Sequence, residues 1–103
     1  MTPHLLDISR LISRVGNGPH TGIDRVELAY FRELLAHDEP VFFLCRLPRS
    51  YSILDAVAGQ QVFAKITGNQ KWGRRGLAKF LIPRVNPTQQ AAISDIWRLA
   101  TAR

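Results

Sequence analysis

The sequence predicts an α/β fold built on a strand–helix–strand unit near its N-terminus. A mixed apolar and polar run at residues 5–12 precedes a glycine-bearing loop at residues 16–22, and an amphipathic segment follows at residues 23–35. A continuously apolar run rich in β-forming residues occupies residues 41–45, as in a buried strand. This order predicts a right-handed βαβ unit whose strands are parallel neighbours and whose helix, residues 22–36, packs on them.

The first predicted strand, residues 5–12, places two polar residues where a ligand could bind. Asp7 and Ser9 fall near its carboxyl end, and polar residues there reach ligands in the crevice of a parallel sheet. The same side chains could instead satisfy backbone groups of the following loop. The sequence favours neither alternative.

The glycine loop leads into a helix with a well-marked start. Thr21 is a good N-cap, and Asp24 completes an approximate capping box. A helix N-terminus offers backbone N–H groups and partial positive charge to an anion. We therefore take Thr21, Gly22, Arg25 and the preceding His20 as candidate binding residues.

Two observations weaken this interpretation. The loop lacks the full G-x-G-x-x-G spacing and the lysine of a P-loop, so it could be a plain loop before a capped helix. Arg25 could be a solvated helix arginine paired with a glutamate, and His20 could be an ordinary loop residue.

The amphipathic helix is predicted to bury one stripe of apolar side chains. The stripe comprises Ile23, Val26, Tyr30 and Leu34, widened by Leu28, Phe31 and Leu35. Pro40 cannot continue the helix, so the helix ends before it.

The second half of the chain is predicted to be mostly helical. Residues 51–54 could form a third strand, a hairpin partner of residues 41–45. A helix is predicted over residues 55–66, although Gly59 lowers its helix propensity. A basic connector follows at residues 67–75, and a short helix is predicted at residues 76–81. Asn86 begins a last helix that is still periodic at Arg103. We therefore expect the N-terminal piece of a longer protein, with an exposed apolar patch at Ile93, Ile96 and Trp97.

Composition narrows the functional class. The formal net charge is +6 and the pI is near 10.5, which favours anionic partners. The single Cys45 excludes an internal disulfide framework and fits a reducing compartment. Neither a membrane-spanning run nor a signal peptide is evident, so we expect a cytoplasmic protein that could contact the inner face of the membrane.

The sequence predicts no metal site and no cofactor. His4, His20 and His37 lack the spacing of metal ligands, and Cys45 has no partner residue for a site. No Ser-His-Asp arrangement can be inferred from the order of residues. Catalytic residues therefore stay unassigned.

Two motifs carry a resemblance to a known family. They are Asp7-Ile8-Ser9-Arg10-Leu11 and Thr21-Gly22-Ile23-Asp24-Arg25-Val26, and they resemble the N-terminus of bacterial group 1 glycosyltransferases, the retaining, family-4-like enzymes of the GT-B fold. In that family the first strand often has a D-x-S/R pattern, and a T-G-I-G-R-Y/V loop commonly begins the first helix. Gly22 and Arg25 match that loop, whereas Asp24 replaces its second glycine. The resemblance is specific over residues 5–35, about a third of the chain.

The resemblance implies a role in polysaccharide biosynthesis. Residues 1–103 would form a single, partial, Rossmann-like domain on the acceptor side of a GT-B enzyme. The implied reaction moves a sugar from a nucleotide-sugar donor to a glycan or lipid-linked acceptor. The donor-binding domain of the family does not lie in this chain, so the chain alone is expected to be inactive.

Two other functional classes stay open. A basic stretch with interleaved aromatic residues could bind nucleic acid or an anionic membrane, although such stretches are most often solvated connectors. Its members are Lys65, Lys71, Trp72, Arg74, Arg75, Lys79, Phe80 and Arg84. A small nucleic-acid-binding module at residues 65–103 is one alternative, with nucleic acid the less favoured partner, and a non-catalytic α/β interaction domain is the other.

Overall fold

The structure, a computed structural model, describes residues 4–48, 50–76 and 78–100. Across these ranges the chain is a mixed α/β protein with one three-stranded sheet and five helices. In chain order the elements are β1 (His4–Asp7), α1 (Ser9–Ser13), α2 (Gly22–Leu35), β2 (Val41–Leu47), β3 (Ser50–Leu54), α3 (Ala56–Ile66), α4 (Ala78–Leu81) and α5 (Pro87–Leu99).

The sheet has the order β1-β2-β3 and contains both kinds of strand pairing. β1 is parallel to β2, with His4 opposite Val41 and Asp7 opposite Leu44. β3 returns antiparallel to β2 as the second strand of a hairpin. The predicted parallel neighbours are confirmed, and so is the hairpin partner. α2 crosses between the parallel strands and packs on the sheet, since the rings of Phe31 and Phe43 lie 4.4 Å apart.

The first strand is shorter than predicted, because residues 9–13 form α1 instead of continuing it. The N–H of Ser9 donates to the Asp7 carboxylate at 2.9 Å, a local bond that turns the chain out of the strand. Ile12 N–H then donates to Ile8 O, a helical bond. The buried apolar residues are Ile8, Leu11, Ile12 and Val15, and this spacing is helical rather than alternating.

The buried face of α2 differs from the predicted stripe. Ile23, Val26 and Tyr30 are exposed, whereas Leu28, Phe31 and Leu34 are buried. Asp24 is also buried, on the same side as these three residues. The helix is therefore rotated so that the first-turn carboxylate, rather than Ile23, faces the interior.

Gly59 explains why α3 can pack directly on the sheet. A Cβ atom at this position would lie 2.4 Å from the ring of Phe43, far inside van der Waals contact. Helix propensity alone disfavours glycine here, but its missing side chain permits the close approach of helix and strand. The predicted helix over residues 55–66 is confirmed, with Asp55 as its N-cap.

The last helix starts where predicted and ends earlier. The Asn86 side chain accepts a hydrogen bond from Gln89 N–H at 2.8 Å, which confirms the N-cap. The helix ends at Leu99, and Ala100 has extended backbone angles. The predicted continuation of the helix toward Arg103 is therefore wrong at residue 100. Residues 101–103 lie outside the described residues.

The apolar patch expected on the last helix is also absent from the structure. Ile93 and Ile96 are 1% and 0% exposed. Trp97 is half-buried and donates its indole N–H to the Ser50 hydroxyl at 2.9 Å. The reason is tertiary: α5 packs across β3 and α1, so its apolar face completes the core.

The described residues show exposed apolar surface elsewhere. Leu5 and Phe42 lie side by side on adjacent strands, and both are exposed, as is Tyr51 on β3. The opposite face of the sheet, which includes Phe43, is covered by α2 and α3. Within the described part of the chain, no helix combines the length and apolar character needed to cross a membrane.

Candidate functional site

A cleft of about 450 Å³ opens at the carboxyl ends of β1 and β2, the edge at which open α/β sheets bind ligands. Its polar lining comprises Ser9, Ser13, Asn17, Arg46, Arg84, Asn86 and Gln89. The apolar lining comprises Ile12, Leu47, Pro48, Val85 and Ile93. The volume is in the range of small-molecule sites.

The β1 end of the cleft joins two predicted site residues to an arginine. The N–H of Arg46 donates to the Ser9 hydroxyl at 2.7 Å, and the Arg46 guanidinium lies 3.0 Å from the Asp7 carboxylate. Burial by itself would raise the pKa of Asp7, but the hydrogen bonds from Ser9 and the charge of Arg46 outweigh it and lower the pKa. Asp7 is therefore an ionised carboxylate that orients Arg46.

The opposite wall is formed where α5 begins. The Gln89 amide donates to the carbonyl oxygens of Ile12 and Val15 at 2.6 and 2.7 Å. These two bonds satisfy carbonyls at the end of α1 and hold α5 against it. The Asn86 amide lies 3.5 Å from Asn17 Oδ1, so the glycine loop meets the α5 N-cap at the rim of the cleft.

The lining indicates which ligands the cleft could hold. Arg46 and Arg84 supply guanidinium groups, which bind phosphates and carboxylates. Serine hydroxyls and asparagine amides can donate and accept hydrogen bonds from a polyhydroxylated ligand. The combination suits a sugar or a sugar carrying a negative charge.

Three predicted site residues lie on the outer side of α2 and line neither this cleft nor the cavity beside His20 described below. Thr21, Gly22 and Arg25 are exposed. Thr21 accepts from Asp24 N–H at 3.2 Å, and Asp24 accepts from Thr21 N–H at 2.8 Å, which confirms the capping box. A Cβ atom on Gly22 would meet nothing within 4 Å. Gly22 therefore has no structural need to be glycine within the described chain.

Asp24 fastens the glycine loop to α1. Its side chain is fully buried, with Arg10 Nη2 at 2.6 Å and Arg14 Nε at 3.4 Å. The hydrogen bond from Thr21 N–H and the nearby Arg10 charge lower the pKa of Asp24 against the opposing effect of burial. The residue that replaces glycine in the family pattern is thus an ionised anchor between two helices.

His20 belongs to a separate, smaller cavity. This cavity, about 180 Å³, lies between the glycine loop and the connector, with Gly16 on one side and Trp72 on the other. His20 Nδ1 lies 4.0 Å from the Asp24 carboxylate. The structure therefore separates His20 from the cleft that holds Ser9.

The described residues contain neither a cluster of metal ligands nor a reactive thiol. No group of three or more His, Cys, Asp or Glu side chains there could hold a metal ion. Cys45 is buried, as predicted. Burial, with Asp7 nearby, raises the pKa of its thiol to about 12, so the thiol stays protonated at neutral pH.

Sequence reasoning missed several residues of the cleft. Arg46 follows the predicted strand 41–45 directly, so the strand-end rule that selected Asp7 and Ser9 would have found it. Asn86 was recognised only as an N-cap, and Arg84 only as part of a basic stretch. No sequence signal brings Arg84 to Arg46, because their proximity depends on where α5 packs.

Comparison with known proteins gives no match. No protein-family model matches the sequence, and neither a curated protein nor a solved structure does so. A functional proposal for this chain rests on the geometry of the cleft and on the two motifs.

Proposed function

We propose that the chain is the N-terminal, acceptor-side portion of a GT-B glycosyltransferase, with a Rossmann-like βαβ unit at its start. The enzyme would transfer a sugar from a nucleotide-sugar donor to a glycan or lipid-linked acceptor. The observation that supports this most is the polar cleft at the carboxyl ends of β1 and β2, since ligands bind at that edge in open α/β sheets.

Each part of the cleft has a role in this proposal. Ser9, Ser13 and Asn86 hydrogen-bond hydroxyl groups of the acceptor. Arg46, held by Asp7 at 3.0 Å, faces the negative charge that develops on the leaving diphosphate. A second domain supplies the remaining donor-binding groups across the cleft.

Ligand binding by the chain itself is the direct test. UDP-glucose and an oligosaccharide are titrated into ¹⁵N-labelled protein, and the amide resonances that shift are mapped. We expect shifts at Ser9, Arg46 and Asn86, and about tenfold weaker binding in Arg46→Gln, since a charge-assisted contact is lost. Arg32→Gln, an exposed arginine on α2, is the matched control. Shifts confined to the connector, residues 67–75, would contradict the proposal.

Gly22 tests the same proposal in a two-domain protein that contains this chain. A valine there would occupy open space next to the first turn of α2, which the family resemblance places toward the donor. Gly22→Val should lower kcat/KM by more than about tenfold, roughly 1.4 kcal/mol. Ala29→Val, at an exposed position of the same helix, should leave activity unchanged. Equal activity of both variants would show that Gly22, which lies outside the cleft, does not approach the donor.

One observation favours a second candidate, nucleic-acid binding. A shallow groove of about 690 Å³ beside α5 is lined by the exposed cations Lys71, Arg74 and Arg75 around half-buried Trp72. Cations that follow a phosphate backbone around an aromatic ring are typical of single-strand binding. Fluorescence anisotropy with a labelled single-stranded oligonucleotide tests this alternative. If the chain binds nucleic acid through this groove, the oligonucleotide should bind, and Trp72→Ala should weaken the binding about tenfold.

A further inference from the structure

Exposed apolar and cationic side chains concentrate around α4. Phe80 is 73% exposed and Leu81 44% exposed, large values for adjacent apolar residues. Basic residues and an exposed proline flank them in the chain. We call this surface the basic tip: Arg75, Lys79, Phe80, Leu81, Pro83 and Arg84.

The basic tip is held on α5 by the residues at either end of α4. Ala78 N–H donates to the Ser94 hydroxyl at 3.4 Å, and the Gln90 amide donates to Ile82 O at 3.2 Å. Ala78 and Ile82 are buried. Phe80 and Leu81 are therefore exposed side chains on a segment that is anchored to α5 at both ends.

Basic side chains lie next to Phe80 and beside α4. Lys79 Nζ lies 5.7 Å from the centre of the Phe80 ring. The Arg75 guanidinium lies 3.4 Å from Gln90 Oε1, and the same amide group binds Ile82, which places Arg75 beside α4. Residues 56–94 contain six lysines and arginines and no acidic residue. This segment therefore carries a charge equal to the formal net charge of the whole chain, +6.

We propose that the basic tip docks on the surface of an anionic lipid bilayer. Phe80 and Leu81 enter the interface, while Arg75, Lys79 and Arg84 contact lipid phosphates. Apolar side chains at the centre of a cationic rim are the pattern of interfacial membrane binding, and each basic residue near an anionic surface adds attraction. A nucleic acid would use the charges but would leave Leu81 and Pro83 in water.

The basic tip adjoins the candidate cleft. Pro48, Arg84 and Val85 line both the cleft and a smaller cavity beside Leu81. A bilayer at the basic tip would therefore lie close to the cleft, where a lipid-linked acceptor could be reached. This consequence rests on the proposed glycosyltransferase function, whereas membrane docking itself does not.

Co-sedimentation with vesicles tests the docking. The protein is mixed with vesicles of phosphatidylcholine alone or with vesicles that also contain phosphatidylglycerol, at low and high salt. We expect binding to the anionic vesicles that salt weakens. Phe80→Ser should reduce the partition constant about tenfold, because its apolar area no longer leaves water. Lys79→Gln/Arg84→Gln should reduce it at least about tenfold.

Matched controls distinguish membrane docking from nonspecific hydrophobic adsorption and from unfolding. Tyr51→Ser removes an aromatic residue on the sheet that is 63% exposed, and Arg25→Gln/Arg32→Gln removes two exposed charges from α2. Both variants should bind like the parent protein. Circular dichroism checks that Phe80→Ser is folded. Equal binding to neutral and anionic vesicles, or an effect of Tyr51→Ser as large as that of Phe80→Ser, would overturn the proposal. Oligonucleotide binding that needs Lys79 and Arg84, without vesicle binding, would overturn it in favour of nucleic acid.

Discussion

Within the described residues the chain buries two aspartates completely, one in each half, and surrounds each with one backbone N–H and two cationic side chains. Asp24 accepts from the backbone N–H of Thr21 and from Arg10 and Arg14. In each case the carboxylate fastens an irregular segment to helices. For Asp24 that segment is the glycine loop.

Asp95, on α5, fastens the connector between α3 and α4. It accepts from Gly73 N–H at 2.7 Å, from Lys65 at 2.8 Å and from Arg98 at 2.6 Å. Burial alone would raise the pKa of Asp95, but these hydrogen bonds and the Lys65 charge outweigh it, and the pKa is lowered.

The two sites differ in the solvent exposure of their least exposed cation. At Asp24 the side chains of Arg10 and Arg14 are 40% and 31% exposed. At Asp95 the side chain of Arg98 is 61% exposed, but that of Lys65 is only 11% exposed. Without Asp24, its two arginines can turn toward water. Without Asp95, the mostly buried Lys65 loses the carboxylate that compensates its charge, which destabilises the folded state. The Asp95 site should therefore matter more for stability, although Asp24 lies within the motif at residues 21–26.

The largest effect is expected from Asp95→Asn. The amide keeps an acceptor for Gly73 but removes the charge that compensates Lys65, so the free energy of unfolding should fall by about 3 kcal/mol. For a domain of this size the melting temperature should fall by roughly 10–20 °C, as measured by calorimetry. Lys65→Met/Asp95→Leu should recover part of the loss, because it removes both charges. A loss smaller than that of Asp24→Asn would contradict the comparison.

A pair of glycine substitutions tests the same comparison between the Asp95 site and the Asp24 site. A Cβ atom on Gly73 would lie 2.6 Å from Asp95 Oδ1, and Lys65 and Arg98 hold that carboxylate in place. Gly73→Ala should therefore destabilise by about 1–3 kcal/mol. Gly22→Ala, where nothing lies within 4 Å, should be neutral or stabilising by up to about 1 kcal/mol. Urea denaturation of both variants measures the difference between their free energies of unfolding. Equal stability would mean that the connector backbone shifts to accommodate the Cβ atom at residue 73.

The smallest effect is a change in acid sensitivity. The pKa values of Asp24 and Asp95 are lowered below the ordinary 3.8, so their stabilisation is present above that pH and is lost as the pH falls through the lower folded-state values. Melting temperatures measured between about pH 5 and pH 2 should fall less steeply in Asp24→Asn than in the parent protein. Asp38→Asn, in the exposed loop after α2, is the control and should keep the parent slope. A parent-like slope in Asp24→Asn would show that this carboxylate is not linked to folding.

Local sequence determined the parts of the fold whose bonds span a few residues. The helix starts at Thr21 and Asn86 were predictable, because a cap is a hydrogen bond between a side chain and a backbone group three residues away. The parallel pairing of β1 and β2 followed from the βαβ order. Of the candidate cleft, sequence identified Ser9, together with Asp7, which lies outside the lining and contacts the cleft residue Arg46.

Tertiary structure decided the rest, for a physical reason that the two aspartates show. Asp24 is recognisable in the sequence because its capping partner is Thr21, whereas Asp95 meets Lys65 and Gly73 only after α5 docks. The same docking buries Ile93 and brings Arg84 toward Arg46. Long-range contacts depend on which apolar faces are covered together, so neither a periodic pattern nor a motif specifies them. The chemistry at the ends of β1 and α2 was therefore visible in the sequence, while the cleft that could use it was not.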